Sequence, residues 1–119
     1  MRHTFSREER LKRRNDFRRC VRQGGRAAGD YVVVYIAANE FGITRLGAGS
    51  TRRLGSAVAR NRAKRLVREA FRLTKADLPT SVDMVVLPRI PWSHPTLEEL
   101  KTDLIEAARR AQIVLSGQA

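Results

Sequence analysis

The chain has 119 residues, 24 Lys+Arg against 12 Asp+Glu, a formal net charge of +12 and 42% hydrophobic residues. That suits a single domain, 1–119, with a modest core, and excludes a disordered polycation. No apolar run reaches membrane-span length, the first ten residues lack the apolar stretch of a secretion signal, and the single cysteine, Cys20, excludes an internal disulfide or a cysteine-based zinc site and fits a reducing, cytoplasmic setting.

In chain order, Ser6-Arg7-Glu8-Glu9 has capping-box spacing, so a first helix starts there or nearer Asn15-Asp16. Leu11, Phe17, Cys20 and Val21 supply its apolar positions, and Gly24-Gly25 ends it. Residues 30–38, rich in Val, Tyr and Ile, predict a strand, 39–42 a turn, and 43–51 the returning strand of a hairpin. Gly47 and Gly49 in that strand mark a bulge or the close approach of another group. Ser56 is the expected N-cap of a second helix reaching about Leu73. Pro79-Thr80-Ser81 breaks the chain, 82–87 reads as a short buried strand, and Pro88, Pro91 and Pro95 stiffen a loop. Thr96-Leu97-Glu98-Glu99 caps a last helix to about Leu115, with an apolar stripe of Leu97, Leu100, Leu104, Ala107, Ala108, Ala111 and Val114. The order α-β-β-α-β-α implies an α+β fold, a small mixed sheet packed with three helices. Residues 1–9 are expected to form a flexible tail and 116–119 a flexible C-terminus.

Charge is concentrated in two blocks. Residues 1–26 hold ten cations and three anions, and residues 52–75 hold nine cations and one anion; the intervening and following stretches are slightly acidic. Such blocks repel themselves unless a polyanion offsets them, and nucleic acid is the natural one. An anionic membrane surface would need free apolar faces, and here those faces are required by the core.

The second helix carries the clearest signal. At about 100° per residue, Ala59, Ala63, Leu66, Val67, Ala70, Phe71 and Leu73 fall in one arc, and Asn61, Arg62, Lys64, Arg65, Arg68, Glu69 and Arg72 in the other. Arg60, Lys64, Arg68 and Arg72 are spaced by four and stack along one edge. Each like-charge pair at that spacing costs roughly 0.2–0.5 kcal/mol, and one Arg65–Glu69 pair returns little. A solvated surface helix would alternate its signs. An arginine-rich face instead suits phosphate, which guanidinium binds in bidentate fashion. Arg52-Arg53 before the helix adds charge beside its N–H donors.

The stretch RRLGSAVARNRAKRLVREAFR, residues 52–72, closely resembles the "RNR" signature of the bacterial ribonuclease P protein subunit. Leu11, Asp16-Phe17 and Gly24 resemble that family's first helix, Val33-Val34-Tyr35 its first strand and Asp83-Met84-Val85-Val86 a later one, so that the resemblance covers roughly residues 10–110. It implies the fold of the second domain of ribosomal protein S5, with a left-handed βαβ crossover. It also implies a ribonucleoprotein in which a catalytic RNA, using Mg2+, removes the 5′ leader from precursor tRNA. One protein would join one RNA, with no membrane or DNA partner. By matching positions, Arg60, Asn61, Arg62, Lys64, Arg65, Arg68 and Arg72 would face the catalytic RNA, and Phe17, Val21, Tyr35, Thr51, Arg52 and Arg53 would line a leader cleft. Two departures stand out: Val21 occupies a position where the family commonly has an aromatic, and Ser50 replaces an apolar residue.

No catalytic residues and no metal or cofactor held by side chains are expected. His3 and His94 have no nucleophile or carboxylate partner nearby in sequence, and no metal-ligand spacing occurs. Cys20 reads as a core thiol and Trp92 as a packing anchor. A small basic ribosomal protein that binds ribosomal RNA is the alternative reading. A DNA-binding regulator would need a second helix after residue 73, where the sequence predicts a turn and a strand.

Overall fold

The computed structural model describes residues 5–117. Seven main elements follow: α1 (Arg14–Gln23), β1 (Gly25–Ala28), β2 (Val32–Ala38), β3 (Arg45–Ala48), α2 (Ala57–Thr74), β4 (Val82–Pro88) and α3 (Leu97–Gly117). The strands form one sheet in the order β1-β2-β4-β3. β2 runs antiparallel to both β1 and β4, and β3 runs parallel to β4, so β3-α2-β4 is a βαβ crossover.

β4 takes a central place because both its faces are apolar. Val82, Met84 and Val86 join Val32, Val34 and Ile36 of β2 on one face, against Val67, Ala70 and Phe71 of α2 and Leu100, Leu104 and Ala108 of α3. Val85 and Ala37 point to the other face, where Leu11 and Cys20 cover them. The sheet therefore carries a large core on one side and, on the other, a smaller one under α1.

The strand after residue 43 corrects the sequence reading. β3 does not return along β2 as a hairpin; it pairs with β4. The hairpin partner of β2 is β1, a strand the sequence reading lacks, because Gly-Arg-Ala-Ala contains no β-branched or aromatic residue. The observed order is thus α-β-β-β-α-β-α, still α+β with a mixed sheet. A buried carboxylate from α3 fixes the β1–β2 turn: Asp103 accepts N–H bonds from Asp30 (2.7 Å), Tyr31 (2.9 Å) and Val32 (3.1 Å). Gly29 is required there, since a Cβ would lie 2.3 Å from the Asp103 carboxylate.

The helix caps follow the sequence. Ser56 Oγ accepts from the Ala59 N–H (3.1 Å), and Thr96 with Glu99 forms a reciprocal box at α3. The Ser6–Glu9 box caps only a single 3-10 turn, Arg7–Glu9, and α1 begins at Arg14. Within the segment expected as a tail, Phe5 meets Phe71 edge-on (5.5 Å) and Glu9 pairs with Lys75 (2.7 Å). Residues 1–4 and 118–119, the outer parts of the two segments expected to be flexible, lie outside the described residues. Val114, placed in the buried stripe of α3 by the sequence, is 41% exposed, because Ala111 and Leu115 are the residues that α3 turns toward Gly25 and the core there.

Candidate nucleic-acid interface

α2 divides as its sequence demands. Ala63, Val67, Ala70, Phe71 and Thr74 are buried, while Asn61, Arg62, Arg65 and Arg68 are exposed and Arg60, Lys64 and Arg72 half-buried. The single acid of the helix, Glu69, pairs with Arg72, not with Arg65: Arg72 Nε donates to Glu69 Oε2 at 3.1 Å. This pair raises the Arg72 pKa and lowers that of Glu69, chiefly through the hydrogen bond between them. Arg60, Arg62, Lys64, Arg65 and Arg68 have no acidic partner among the described residues. Five neighbouring cations thus remain available to an external anion. Ahead of them Thr51, Arg52 and Arg53 are exposed where the chain leaves β3 and forms a 3-10 turn, Arg52–Leu54.

The opposite sheet face carries the second surface. α1 covers only part of it, and Phe17, Val21, Tyr35 and Leu87 remain half-exposed around the small core. Gly47 and Gly49 explain themselves here. A Cβ at Gly47 would meet the Phe17 ring at 3.0 Å, and one at Gly49 would meet Leu87 Cδ2 at 2.6 Å and Phe17 at 3.2 Å. The glycines let the Phe17 ring lie close against β3. On the β1 side, Arg26 stands directly across from Tyr35, with its guanidinium 5.9 Å from the ring centroid and Nε donating to the phenol oxygen at 3.4 Å. The result is an apolar, aromatic strip with a cation beside it, suited to an unpaired nucleic-acid strand.

A buried carboxylate organises one end of this face. Asp83 is fully buried and accepts from Arg19 (2.8 Å), Asn39 (2.9 Å) and both Nε and an Nη of Arg45 (2.8 Å each). Burial alone would raise its pKa; the bonds from Arg45 and Asn39 and the charges of Arg45 and Arg19 outweigh that and hold it below the ordinary carboxylate range. Arg45 is raised in turn, first by its bond to Asp83. The outer face of Arg45 stacks on Phe41, with 4.4 Å between the guanidinium and the ring centroid. Cys20 lies beneath, its Sγ 3.3 Å from the carbonyl oxygens of Tyr35 and Asp83, and burial pushes its thiol up to about 11.

The two surfaces meet across the β3 edge. A pocket of about 180 Å3 there is lined by Lys12, Phe17 and Gly47 from the α1 side and by Arg68 from α2. Residues 10–11 run along the same edge, with the Leu11 N–H donating to Leu46 O at 2.9 Å, so β3 is shielded from pairing with another chain. Sequence reasoning missed Arg26, because β1 has no strand signal, and Arg19, Arg45 and Leu87, because only the fold gathers them around Asp83 and Phe17. Among the described residues no group of three or more His, Cys, Asp or Glu is placed to hold a metal ion, and no helix is long and apolar enough to cross a membrane.

An α+β fold with an arginine ridge on one side and an open aromatic strip on the other defines an RNA-binding protein of the small basic class. The comparisons with known proteins name its family. The family model described as Ribonuclease P matches residues 5–112. The ribonuclease P protein component of Pelotomaculum thermopropionicum is 35% identical over 103 residues, covering 87% of this chain and 92% of its own length. That of Thermotoga petrophila is 40% identical over 89 residues, covering 75% and 76%. Among solved structures, the Staphylococcus aureus RNase P protein superposes with a TM-score of 0.76 at 32% identity, covering 89% of this chain and 97% of that one. The Thermotoga maritima RNase P protein gives 0.76 at 33%, covering 86% and 96%. The chain belongs to the ribonuclease P protein family.

Proposed function

We propose that α2 docks this chain on the catalytic RNA of ribonuclease P and that the strip between α1 and the sheet holds the 5′ leader of precursor tRNA. Family membership makes the chain the protein subunit of that RNA-binding, tRNA-processing ribonucleoprotein. The observation that carries the docking is the set of five α2 cations with no acidic partner among the described residues. Their mutual repulsion lowers the stability of the free protein, and bound phosphates relieve it. Asn61 adds a neutral donor and acceptor among them.

Phe17 and Tyr35 offer ring faces, Val21 and Leu87 apolar contact, and Arg26, Arg52 and Arg53 charge for the strand's phosphates. A stack on a base contributes roughly 1–3 kcal/mol and reads little sequence. With Val21 in place of an aromatic, the strip has one stacking position fewer. The protein then favours substrate that bears a leader over mature product, which lacks one. The chemistry belongs to the RNA and its Mg2+. The side chains neutralise phosphate, release counterions and so favour RNA folds that hold Mg2+. One protein per RNA, in the cytoplasm, completes the proposal.

The test measures the affinities of precursor and mature tRNA for the catalytic RNA with and without the protein. A preference for precursor that rises tenfold or more with protein present supports the leader strip; equal discrimination in both cases removes it.

A further inference from the structure

The loop between β4 and α3 sits over the N-terminal half of α2 and encloses a pocket that shares only Arg62 with the surfaces above. Ala59, Ala63 and Leu66 of α2 line it with apolar atoms, Arg62 borders it, and Trp92 and His94 close it from the loop, leaving about 170 Å3. Trp92 is half-buried and anchored against the main core, and its ring meets His94 edge-on with centroids 6.4 Å apart. No acidic residue lines the pocket. His94 is held at φ 55°, a left-handed conformation that costs any residue with a side chain and that the loop would adopt more readily with glycine.

We propose that this pocket receives one unpaired nucleobase of the catalytic RNA, enclosed by Trp92 and His94 against α2, with Arg62 meeting the adjoining phosphate. The inference rests on the reading that α2 docks on that RNA. Its size supports it: the space is well below that of a drug-sized ligand site and admits one planar ring system. Its chemistry supports it too, because sequence-specific RNA recognition works on bases splayed out of loops and bulges and stacked on aromatic side chains. Location selects the catalytic RNA over the leader. The pocket continues the α2 face at Arg62, whereas the Phe17–Tyr35 strip lies on the opposite side of the sheet. A docked base would convert a charge-driven contact, which tolerates sliding, into one with a fixed register.

Trp92 is the only tryptophan in the chain, so its emission reports on this pocket alone. Titration of the full protein with the catalytic RNA is expected to quench that emission at least twofold along the binding curve. One unpaired nucleotide should become protected from a base-specific chemical probe. Two variants keep the test independent of folding. Ala59→Leu puts a larger side chain into the space, and His94→Gly removes the imidazole while suiting the local backbone. Each should weaken RNA binding five- to tenfold and expose the protected base, with the thermal midpoint unchanged. Tight RNA binding with unaltered Trp92 emission, or quenching and protection that persist in Ala59→Leu, would overturn the pocket while leaving the α2 docking intact. Failure of the wild-type protein to bind the catalytic RNA at all would instead overturn the docking itself.

Discussion

Replacing Arg60, Lys64 and Arg68 with Gln should separate the two meanings of a charged helix face, because stability and binding must move in opposite directions. The three positions form like-charge pairs at 60–64, 64–68 and 68–72, and none of the three has an acidic partner among the described residues. At roughly 0.2–0.5 kcal/mol per pair, their removal stabilises the free protein by about 1 kcal/mol at low salt. Each lost phosphate contact lowers the slope of log affinity against log salt by about 0.7–0.9, so three lower it by about 2.4. Over a fourfold rise in salt the advantage of wild type over variant then shrinks by about 30-fold. Filter binding to the catalytic RNA across a salt series, with thermal melts of the free protein, measures both. An unchanged slope, or a melting point that falls by several degrees, would show that these side chains serve the fold and not the RNA.

Other perturbations test the remaining contacts. Asp83→Asn leaves Arg45, whose side chain is only 16% exposed, with only the more distant Asp16 carboxylate at 3.7 Å, while the 39% exposed Arg19 keeps solvent. A loss of about 3 kcal/mol and a melting point lower by more than 10 °C are expected by calorimetry. Asp83 and Glu9 are both held below their unfolded values of 3.8 and 4.5. Their contribution is therefore complete above about pH 5 and is lost below those values, as pH falls toward and through the lower folded ones, since the unfolded chain then binds more protons. Urea unfolding at pH 7, 5, 4 and 3 should show that decline, steepest below about pH 4, and Asp83→Asn should remove the Asp83 share of it. Gly49→Val places atoms against Leu87 and the Phe17 ring, closing the strip. It should abolish the preference for precursor over mature tRNA while the affinity for catalytic RNA stays within twofold. Cys20, buried with its thiol pushed up to about 11, should react with a thiol-directed alkylating reagent only as fast as the protein opens, as a comparison in water and in denaturant would show.

The α2 face was legible because helical periodicity and charge are both local properties: Ser56 capped the helix where expected, and residues 63, 67, 70 and 71 are buried as the wheel placed them. The Glu69 partner differed, Arg72 and not Arg65, and Leu73, which the wheel placed on the packed arc, stays half-exposed outside the core. Phe17, Val21 and Tyr35 do converge, yet what makes them a strip is nonlocal. Pairing of β3 with β4 instead of β2 brings Gly47 and Gly49 under Phe17, and β1, invisible by composition, brings Arg26 to Tyr35. Asp83 read as one letter in an apolar strand; its meaning depends on Arg19 and Arg45, 64 and 38 residues away in sequence. Long-range pairing of this kind leaves no periodic trace.

Cleavage of a precursor tRNA by the protein alone, by the catalytic RNA alone and by both together, at low Mg2+, tests the division of labour most directly. Removal of the leader by the mixture, slow cleavage by the RNA alone that recovers when Mg2+ is raised, and none by the protein alone are expected. Cleavage by the protein without RNA, or a rate for the RNA that the protein leaves unchanged at every Mg2+ concentration, would contradict the account.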